Sequence, residues 1–113
     1  MADCIFCNIL ENAKPGQIVH QDDACFVLRD IHPQAPTHLL VIPKKHYGDL
    51  TDMEGATDVI GKMYGAAIAL ARQEKIDDGF RTVINVKPKG GQTVFHVHMH
   101  VLGGKQMGPG LAG

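Results

Sequence analysis

Apolar residues recur at helical spacing in two parts of the chain. Residues 4–11 (CIFCNILE) place four apolar side chains on one stripe, which predicts a short amphipathic helix. A longer series at three- and four-residue steps runs from Val59 to about Glu74 and predicts one long helix. Thr51 and Glu54 have the spacing of a capping box, which predicts that the long helix begins nearby.

Short apolar runs between turn-forming residues predict five strands. They cover residues 18–20, 24–29, 38–42, 80–86 and 93–102. The last two are expected to form a hairpin around the glycine-rich segment KPKGGQ. Because strands and helices do not alternate regularly, we predict an α+β fold with a mostly antiparallel five-stranded sheet and one long and one short helix. We expect a single domain over residues 1–113, in which residues 103–113 form a flexible, glycine-rich C-terminal tail.

The composition is that of one globular domain, with 113 residues, 44% hydrophobic and 20% charged. A net charge of −1 provides no general attraction for nucleic acid or an anionic membrane. No apolar run reaches the roughly 20 residues of a membrane span, and the first residues lack the features of a secretory signal. Three cysteines cannot form a closed disulfide framework, so we expect a cytoplasmic protein.

Three of the seven histidines lie at alternate positions in the last predicted strand. Alternation places His96, His98 and His100 on one face and apolar residues on the other. Since positions i and i+4 of a strand are about 13 Å apart, the three rings cannot ligate one metal ion together. Three interpretations remain open: a solvated histidine row, a two-histidine metal chelate, or nucleophilic and acid–base chemistry, for which an imidazole pKa near 6.5 is suited.

Covalent phosphoryl chemistry is one reaction that such a row could perform. Neutral imidazole attacks phosphorus readily, and a phosphoryl-imidazole is labile to water. An anionic substrate also requires hydrogen-bond donors. Candidates near the histidines are the Asn85 side chain, backbone amides around residues 90–91, Thr93 and the Val94 amide. Strand ends and turns use the same residue types, so this simpler explanation stays open for Asn85 and Thr93.

Two segments carry a resemblance to a known family. Residues 90–104 (GGQTVFHVHMHVLGG) resemble the signature of the histidine-triad family, and residues 30–46 (DIHPQAPTHLLVIPKKH) are similar to its second characteristic block. The flanking residues resemble its nucleotide-binding, phosphoramidase-type branch. The resemblance implies a homodimeric hydrolase that pairs the sheets of its protomers and cleaves P–N bonds of purine nucleoside phosphoramidates through a nucleotidyl-histidine intermediate. Dinucleoside polyphosphate hydrolysis, and a nucleotide-sensing or protein-interaction module with little turnover, stay open as alternatives.

The resemblance also implies roles for individual residues. His98 matches the family's nucleophile and His100 matches a phosphate-binding partner. His96 and His38 match histidines that support the row, and Asp30 matches the carboxylate that holds the ribose hydroxyls. The residues matching the phosphate cradle are Asn85, Gly91, Thr93 and Val94. The residues matching the apolar slot for the base are Ile5, Phe6, Ile9, Leu28 and Ile31.

Two features depart from the family pattern. The tail lacks the tryptophan found near the C-terminus of well-known members, in which the tail crosses to the partner's site and tunes selectivity. The resemblance therefore does not predict the preferred amine leaving group. Arg29, beside Asp30, is expected to alter contacts with the base or the ribose.

A pair of cysteines near the N-terminus has metal-type spacing. On a helix, Cys4 and Cys7 share a face, but a lone pair is weak support because zinc requires four ligands. His46 and one histidine of the last strand are candidates for the others. Some family members bind structural zinc through a matching set, which here implies Cys4, Cys7, His46 and His96. Thiols packed as small hydrophobes, or a redox pair, remain alternatives. Cys25 is predicted to lie in the core, and no organic cofactor is expected.

Overall fold

A five-stranded antiparallel sheet with one helix on each face organises the computed structural model, which describes residues 3–111. The helices and strands are, in chain order, α1 (Ile5–Asn12), β1 (Ile18–Gln21), β2 (Cys25–Arg29), β3 (Thr37–Pro43), α2 (Thr57–Gln73), β4 (Phe80–Val83) and β5 (Met99–Gly103). Two short 3-10 turns, Leu50–Met53 and Pro88–Gly90, lie in the connections. The predicted α+β class, with one long and one short helix, is confirmed.

The strands follow the order β1-β2-β3-β5-β4, and every neighbouring pair is antiparallel. β3 lies at the centre, and its run HLLVIP is buried throughout, as expected of a strand covered on both faces. β5 pairs with β3 on one side and with β4 on the other. The predicted hairpin between the last two strands is therefore present, and β4 forms an edge of the sheet.

Alternate residues of the central strands contact different helices. Leu39 and Val41 of β3 belong to the core beneath α2. Leu40 and Ile42 face the other way and form a second apolar cluster with Phe6 of α1. This alternation follows from the two-residue period of a strand. For the same reason, a residue of a neighbouring strand that is paired with Leu40 also points to the α1 side of the sheet.

The capping box predicted at Thr51 and Glu54 is wrong. Asp49 instead caps a separate 3-10 turn, Leu50–Met53, by accepting a hydrogen bond from the Thr51 amide (2.9 Å). α2 begins beyond this turn, where Ala56 makes no side-chain cap bond. Aspartate is as good an N-cap as threonine, so the carboxylate two residues upstream replaces the predicted cap.

The last two strands are shorter than the sequence predicts. β4 ends at Val83, and β5 begins only at Met99. The segment before β5 leaves the sheet because the Val97 amide donates to the carbonyl of Tyr47, in the loop after β3, and not to a neighbouring strand (2.8 Å). Side chains still alternate along this segment, since Val97 is buried in the α2 core while His96 lies among the side chains of α1.

The C-terminal tail forms no helix or strand between residues 104 and 111. The Arg81 guanidinium donates a hydrogen bond to the carbonyl of Gly108 and holds this part against β4. The flexibility of the tail stays a prediction. Its last two residues, and both ends of the predicted domain, lie outside the described residues. Within residues 3–111, no helix combines the length and hydropathy needed to cross a bilayer.

Gly103 is expected to be intolerant of a side chain, because a Cβ there would lie 2.7 Å from Cδ1 and 2.9 Å from Cβ of Ile76. We expect Gly103→Ala to lower the free energy of unfolding by about 1–3 kcal/mol through overpacking. Gly79→Ala is the matched control, since a Cβ at Gly79 meets no atom within 4 Å. Urea unfolding of both variants measures the difference, and equal stabilities would contradict this packing.

Candidate active site and metal site

The four histidines predicted to take part in catalysis lie together on the α1 side of the sheet. β3 contributes His38, β5 contributes His100, and the segment leading into β5 contributes His96 and His98. Ring centroids are 5.1 Å apart for His98 and His100, and 5.1 Å apart for His38 and His100. His100 is half-buried, and the other three are buried. The structure therefore makes one cluster of these side chains, while their catalytic roles stay predictions.

The tautomer of His98 is set by the backbone. Its Nδ1 lies 2.8 Å from the carbonyl oxygen of His96. A carbonyl only accepts, so Nδ1 carries the proton and Nε2 of the neutral ring keeps its lone pair. Among residues 3–111, Nε2 of His98 has no hydrogen-bond partner. Every side-chain nitrogen or oxygen of these residues that lacks a partner is in contact with solvent, and this includes Nε2 of His98. The lone pair is therefore accessible to a reactant, while Phe6 packs edge-on against the ring at a centroid distance of 5.2 Å.

A second set of hydrogen bonds fixes the tautomers of His38 and His100. The backbone N–H of Gln34 donates to Nδ1 of His38 (3.0 Å). Nε2 of His38 therefore carries the proton and donates it to Nδ1 of His100 (2.8 Å). The Asp30 carboxylate lies 3.4 Å from the same Nε2 and favours the proton there. A neutral His100 must then hold its own proton on Nε2, which makes that nitrogen a hydrogen-bond donor.

Burial favours the neutral form of these rings. It lowers the pKa of His38, an effect that the nearby Asp30 carboxylate opposes. It lowers the pKa of His100 to about 4, with a further contribution from the neighbouring imidazoles. The pKa of His96 is also lowered, mainly by burial. All three rings are therefore neutral near pH 7, which is the condition for the tautomers described above.

Several polar groups near the histidines make no hydrogen bond to any residue that the structure describes. The Asn85 side chain lines a cavity of about 140 Å³ together with His38 and His100. Thr93 and Val94 line a different and larger cavity of about 580 Å³, together with Cys4 and His46. Within residues 3–111, neither the Asn85 amide group nor the backbone N–H of Val94 makes a hydrogen bond. Such free donors are suited to an anionic group.

The amides of Gly90 and Gly91, which the sequence suggests as further donors, are already paired. They donate to the carbonyls of Lys87 and Pro88 (3.0 Å each), because this segment closes into a 3-10 turn. Gly91 nevertheless shapes the site. Its φ of 90° is the left-handed conformation that favours glycine, and a Cβ there would lie 3.8 Å from Cγ of Asn85. The turn thus approaches the Asn85 side chain closely.

The residues predicted to hold a base divide into two groups. Phe6, Ile9 and Leu28 lie in one apolar cluster between α1 and the sheet. Ile5 and Ile31 are 53% and 84% exposed, so they lie outside the buried part of this cluster. A slot with a buried floor and an exposed rim can accept one face of a flat apolar ring.

Neighbouring residues at the end of β2 face opposite sides of the sheet. Asp30 lies on the histidine side, where Oδ1 accepts from the His32 amide (2.8 Å). Arg29 points towards α2, and its Nη1 lies 2.7 Å from Oε1 of Glu74. Strand alternation therefore turns the Arg29 side chain away from the Asp30 carboxylate, and its expected effect on contacts with the base or the ribose stays a prediction.

Cys4, Cys7, His46 and His96 converge into a group that fits a tetrahedral metal ion. Their ligand atoms all lie within 4.8 Å of one another. Nδ1 of His96 is 3.2 Å from Sγ of Cys4 and 3.6 Å from Sγ of Cys7, and Nδ1 of His46 is 3.4 Å from Sγ of Cys7. Zinc bonds of about 2.1 Å to nitrogen and 2.3 Å to sulfur place neighbouring tetrahedral ligands roughly 3.3–3.8 Å apart. The spacings of 3.4 and 3.6 Å lie within this range, and the spacing of 3.2 Å lies just below it.

The His96 ring is also oriented as a metal ligand. Its Nε2 donates to the carbonyl of Pro43 (2.8 Å), so Nδ1 presents its lone pair to the two sulfurs. A backbone carbonyl holding the outer nitrogen is the usual arrangement around a metal-bound imidazole. The residues present therefore fit structural zinc, in agreement with the set that the resemblance implies.

A second group of potential ligands, Asp30, His38 and His100, does not fit a metal ion in this state. The hydrogen bond from the Gln34 amide occupies Nδ1 of His38 and keeps the proton on Nε2, so that nitrogen has no lone pair to offer. The contact between the two imidazoles is a hydrogen bond, and the group is organised to hold a proton.

Several groups that shape the site are missed by the sequence. The Gln34 amide and the carbonyls of Pro43 and His96 fix three tautomers, but a backbone group carries no signature in the residue type. Gln92 is different, because its side chain is 4% exposed and hydrogen-bonded at both polar atoms. Its only signal is a long polar residue between two glycines and an apolar segment.

The pKa of His100 leads to a prediction about acid stability. The unfolded chain takes up a proton at this residue near pH 6.5, but the folded protein does so only near pH 4. The free energy of unfolding should therefore fall as the pH falls from 6.5 to 4, by about 1–3 kcal/mol more in the wild type than in His100→Gln. Urea unfolding at stepped pH measures this. Parallel profiles would contradict it, since other titrations are common to both proteins.

The metal site predicts about one zinc ion per chain, measured by elemental analysis of the purified protein. Cys7→Ser should lose most of the metal and lower Tm, because it removes one of four ligands. Cys25→Ala provides the control, since Cys25 is fully buried in the α2 core and should keep the zinc even if stability falls. Full zinc content in Cys7→Ser would exclude this ligand set.

Comparison with known proteins places this site in a family. The model of the HIT domain matches residues 11–107. The chain is 43% identical to the purine nucleoside phosphoramidase of Escherichia coli over 112 residues, covering 97% of this chain and 94% of the relative. It is 43% identical to the 14 kDa zinc-binding protein of Brassica juncea, covering 93% and 96% of the two chains. The crystal structure of a HIT family hydrolase from Legionella pneumophila superposes with a TM-score of 0.88, at 41% identity over 95% of this chain and 97% of that one. With the family model spanning most of its length and the histidine cluster at its centre, the chain belongs to the HIT family.

Proposed function

We propose that this protein is a purine nucleoside phosphoramidase, a hydrolase that cleaves the P–N bond of nucleoside phosphoramidates. Membership of the HIT family and 43% identity to the E. coli enzyme of that name support the proposal. The observation that carries it is the tautomer of His98, because Nε2 is unprotonated and accessible while Nδ1 is bound to the carbonyl of His96.

His98 is the nucleophile. Its Nε2 attacks the phosphorus atom and forms an N–P bond as the P–N bond of the substrate breaks, and the amine leaves with a proton taken from the medium. The imidazole gains positive charge in this step. The His96 carbonyl, already 2.8 Å from Nδ1, is aligned to stabilise that charge without rearrangement. Water then cleaves the nucleotidyl-histidine bond, releasing the nucleoside monophosphate and returning a proton to the medium.

The phosphoryl oxygens are held by groups that are free in the structure. His100 donates from Nε2, since His38 occupies its Nδ1. The Asn85 amide, the Thr93 hydroxyl and the Val94 backbone N–H provide the remaining donors. Because these donors are already in place, they can stabilise the negative charge of the transition state, which is usually the largest electrostatic contribution to such a reaction.

The nucleoside binds between α1 and the end of β2. A purine ring packs on Phe6, Ile9 and Leu28, with Ile31 at the open rim. The Asp30 carboxylate accepts from the ribose hydroxyls. Its Oδ1 already takes the His32 amide, but a carboxylate offers about four acceptor positions, so capacity remains.

Zinc, held by Cys4, Cys7, His46 and His96, has a structural role in this proposal. When bound, zinc would supply a fixed charge, and its shared ligands would hold the start of α1 against the segment leading into β5. The ring of His96 ligates the metal, and its backbone carbonyl accepts a hydrogen bond from His98. This residue therefore positions the nucleophile without contacting the substrate.

A homodimer and a reducing compartment such as the cytoplasm complete the proposal. β4 lies at an edge of the sheet, and Tyr64 and Ile68 of α2 are 42% and 50% exposed, and such surfaces support association of two protomers. Three free thiols support a reducing environment, and the net charge of −1 argues against nucleic acid as a partner.

Removal of the nucleophile tests the reaction. His98→Ala should reduce kcat for an adenosine phosphoramidate by at least about 10³-fold, because the covalent route is lost. His20→Ala is the control, since His20 lies on β1 away from the site and its loss should leave kcat unchanged. Circular dichroism and sedimentation check that fold and assembly are retained. Retained AMP release by the His98 variant would refute the assignment.

The wild-type protein, quenched during turnover and analysed by mass spectrometry, should carry one nucleotidyl group on His98. Nucleotide binding without this adduct would favour a sensing module. Faster cleavage of a diadenosine polyphosphate than of the phosphoramidate, at equal enzyme concentration, would favour the P–O–P hydrolase instead.

A further inference from the structure

Gln92 is unusual among the polar side chains of this protein. Apart from histidines and cysteines, it is the only polar residue of residues 3–111 that is buried, with 4% of its surface exposed. Long polar side chains are seldom fully buried unless every polar atom is bonded. The neighbouring positions of the same turn, residues 87–91, are all exposed. The reason for this burial lies in the segments that the side chain joins.

The Gln92 side chain bonds to three different places. Its Oε1 accepts from the Lys87 amide (2.8 Å), at the entrance to the glycine-rich turn. Its Nε2 donates to the carbonyl of Gly48 (2.7 Å) and to the carbonyl of Val94 (3.0 Å). Both hydrogens of the amide group are thereby used, and only a neutral amide satisfies one donor and two acceptors at once.

The bond to Lys87 stabilises a strained turn. Lys87 has a φ of 61°, a conformation that few residues other than glycine adopt. The Lys87 backbone is bound to Gln92 twice, because the backbone N–H of Gln92 also donates to the Lys87 carbonyl (3.1 Å). At the other end, the Lys87 ammonium lies 2.7 Å from Oγ1 of Thr51 and 3.0 Å from Oδ2 of Asp49. Strain of this kind persists only where surrounding contacts hold it.

The bonds from Nε2 join the two functional parts of the site. Gly48 follows His46 by two residues, so its carbonyl belongs to the loop that presents a metal ligand. Val94 provides the backbone N–H proposed to bind the phosphoryl group. One amide group thus spans the metal loop and the phosphate-binding segment, and no other side chain among residues 3–111 hydrogen-bonds to both.

We propose that Gln92 is a positioning residue that couples the metal site to the phosphate-binding site. Metal binding holds the loop at His46, the Gly48 carbonyl holds Nε2 of Gln92, and Nε2 holds Val94 in the position required by the phosphate. The inference rests on the proposed function, in that the ligand is a nucleoside monophosphate. Because coupling between two binding sites is reciprocal, the nucleotide must also strengthen zinc binding by the same factor.

The test is a thermodynamic cycle with AMP, the product of the proposed reaction. AMP affinity is measured by calorimetry for the zinc-loaded and the chelator-stripped protein, in the wild type and in Gln92→Met, which keeps the length of the side chain without its hydrogen bonds. We expect zinc to tighten AMP binding about tenfold in the wild type and less than twofold in the variant.

Gln17→Met is the matched control. Gln17 is exposed, and among residues 3–111 its side chain makes one hydrogen bond, from the Lys14 backbone N–H to Oε1 (3.1 Å), so the effect of zinc on AMP affinity should equal that of the wild type. The reciprocal measurement needs no variant. Zinc affinity of the wild type, determined by competition with a chelating dye, should rise about tenfold in the presence of saturating AMP. This measurement decides the question if Gln92→Met does not fold.

Each outcome has one meaning. An equal zinc effect in the wild type and Gln92→Met, or no effect of AMP on zinc affinity, overturns the coupling while leaving the phosphoramidase proposal intact. A protein that binds AMP and holds no zinc overturns the coupling together with the metal site. Failure of the wild type to bind AMP overturns both this inference and the proposed function.

Discussion

His96 is held at each of its polar side-chain atoms and at its carbonyl, and the arrangement of the site depends on these bonds. Nε2 donates to the Pro43 carbonyl, Nδ1 faces the two sulfurs, and the main-chain carbonyl receives Nδ1–H of His98. The residue therefore connects the end of β3, the start of α1 and the imidazole of His98. Burial keeps its ring neutral, so each contact is a directional bond with a defined donor.

Three histidines of identical chemistry acquire three different hydrogen-bonding states through the backbone. A carbonyl leaves His98 with a lone pair on Nε2, and another carbonyl leaves His96 with a lone pair on Nδ1. The Gln34 amide acts through His38 and makes His100 a donor at Nε2. A strand that merely repeated histidine at every second position would provide no such distinction. The differences arise because each ring meets a different main-chain group.

The sequence predicts the frame of this site well. The period of two in residues 96–100 correctly separates histidines from core residues, and the continuous apolar run of β3 correctly marks a buried central strand. It predicts the metal group only through a resemblance, since Cys4 and His46 are brought together by tertiary packing. The tautomers, the paired amide of Gly91 and the start of β5 depend on hydrogen bonds to main-chain groups, which residue types do not encode.

The position of Cys4 has a consequence for how the amino-terminal segment acquires its shape. Cys4 is the residue that caps α1, accepting the Cys7 amide on its sulfur, and α1 has only eight residues. Peptides of that length do not remain helical in water by themselves. The helical conformation of this first segment thus depends on contacts with residues more than thirty positions away in the chain, such as the imidazoles of His46 and His96. The packing of α1 beside the His98 ring can therefore be complete only after the segment that carries His96 has folded onto the first residues of the chain.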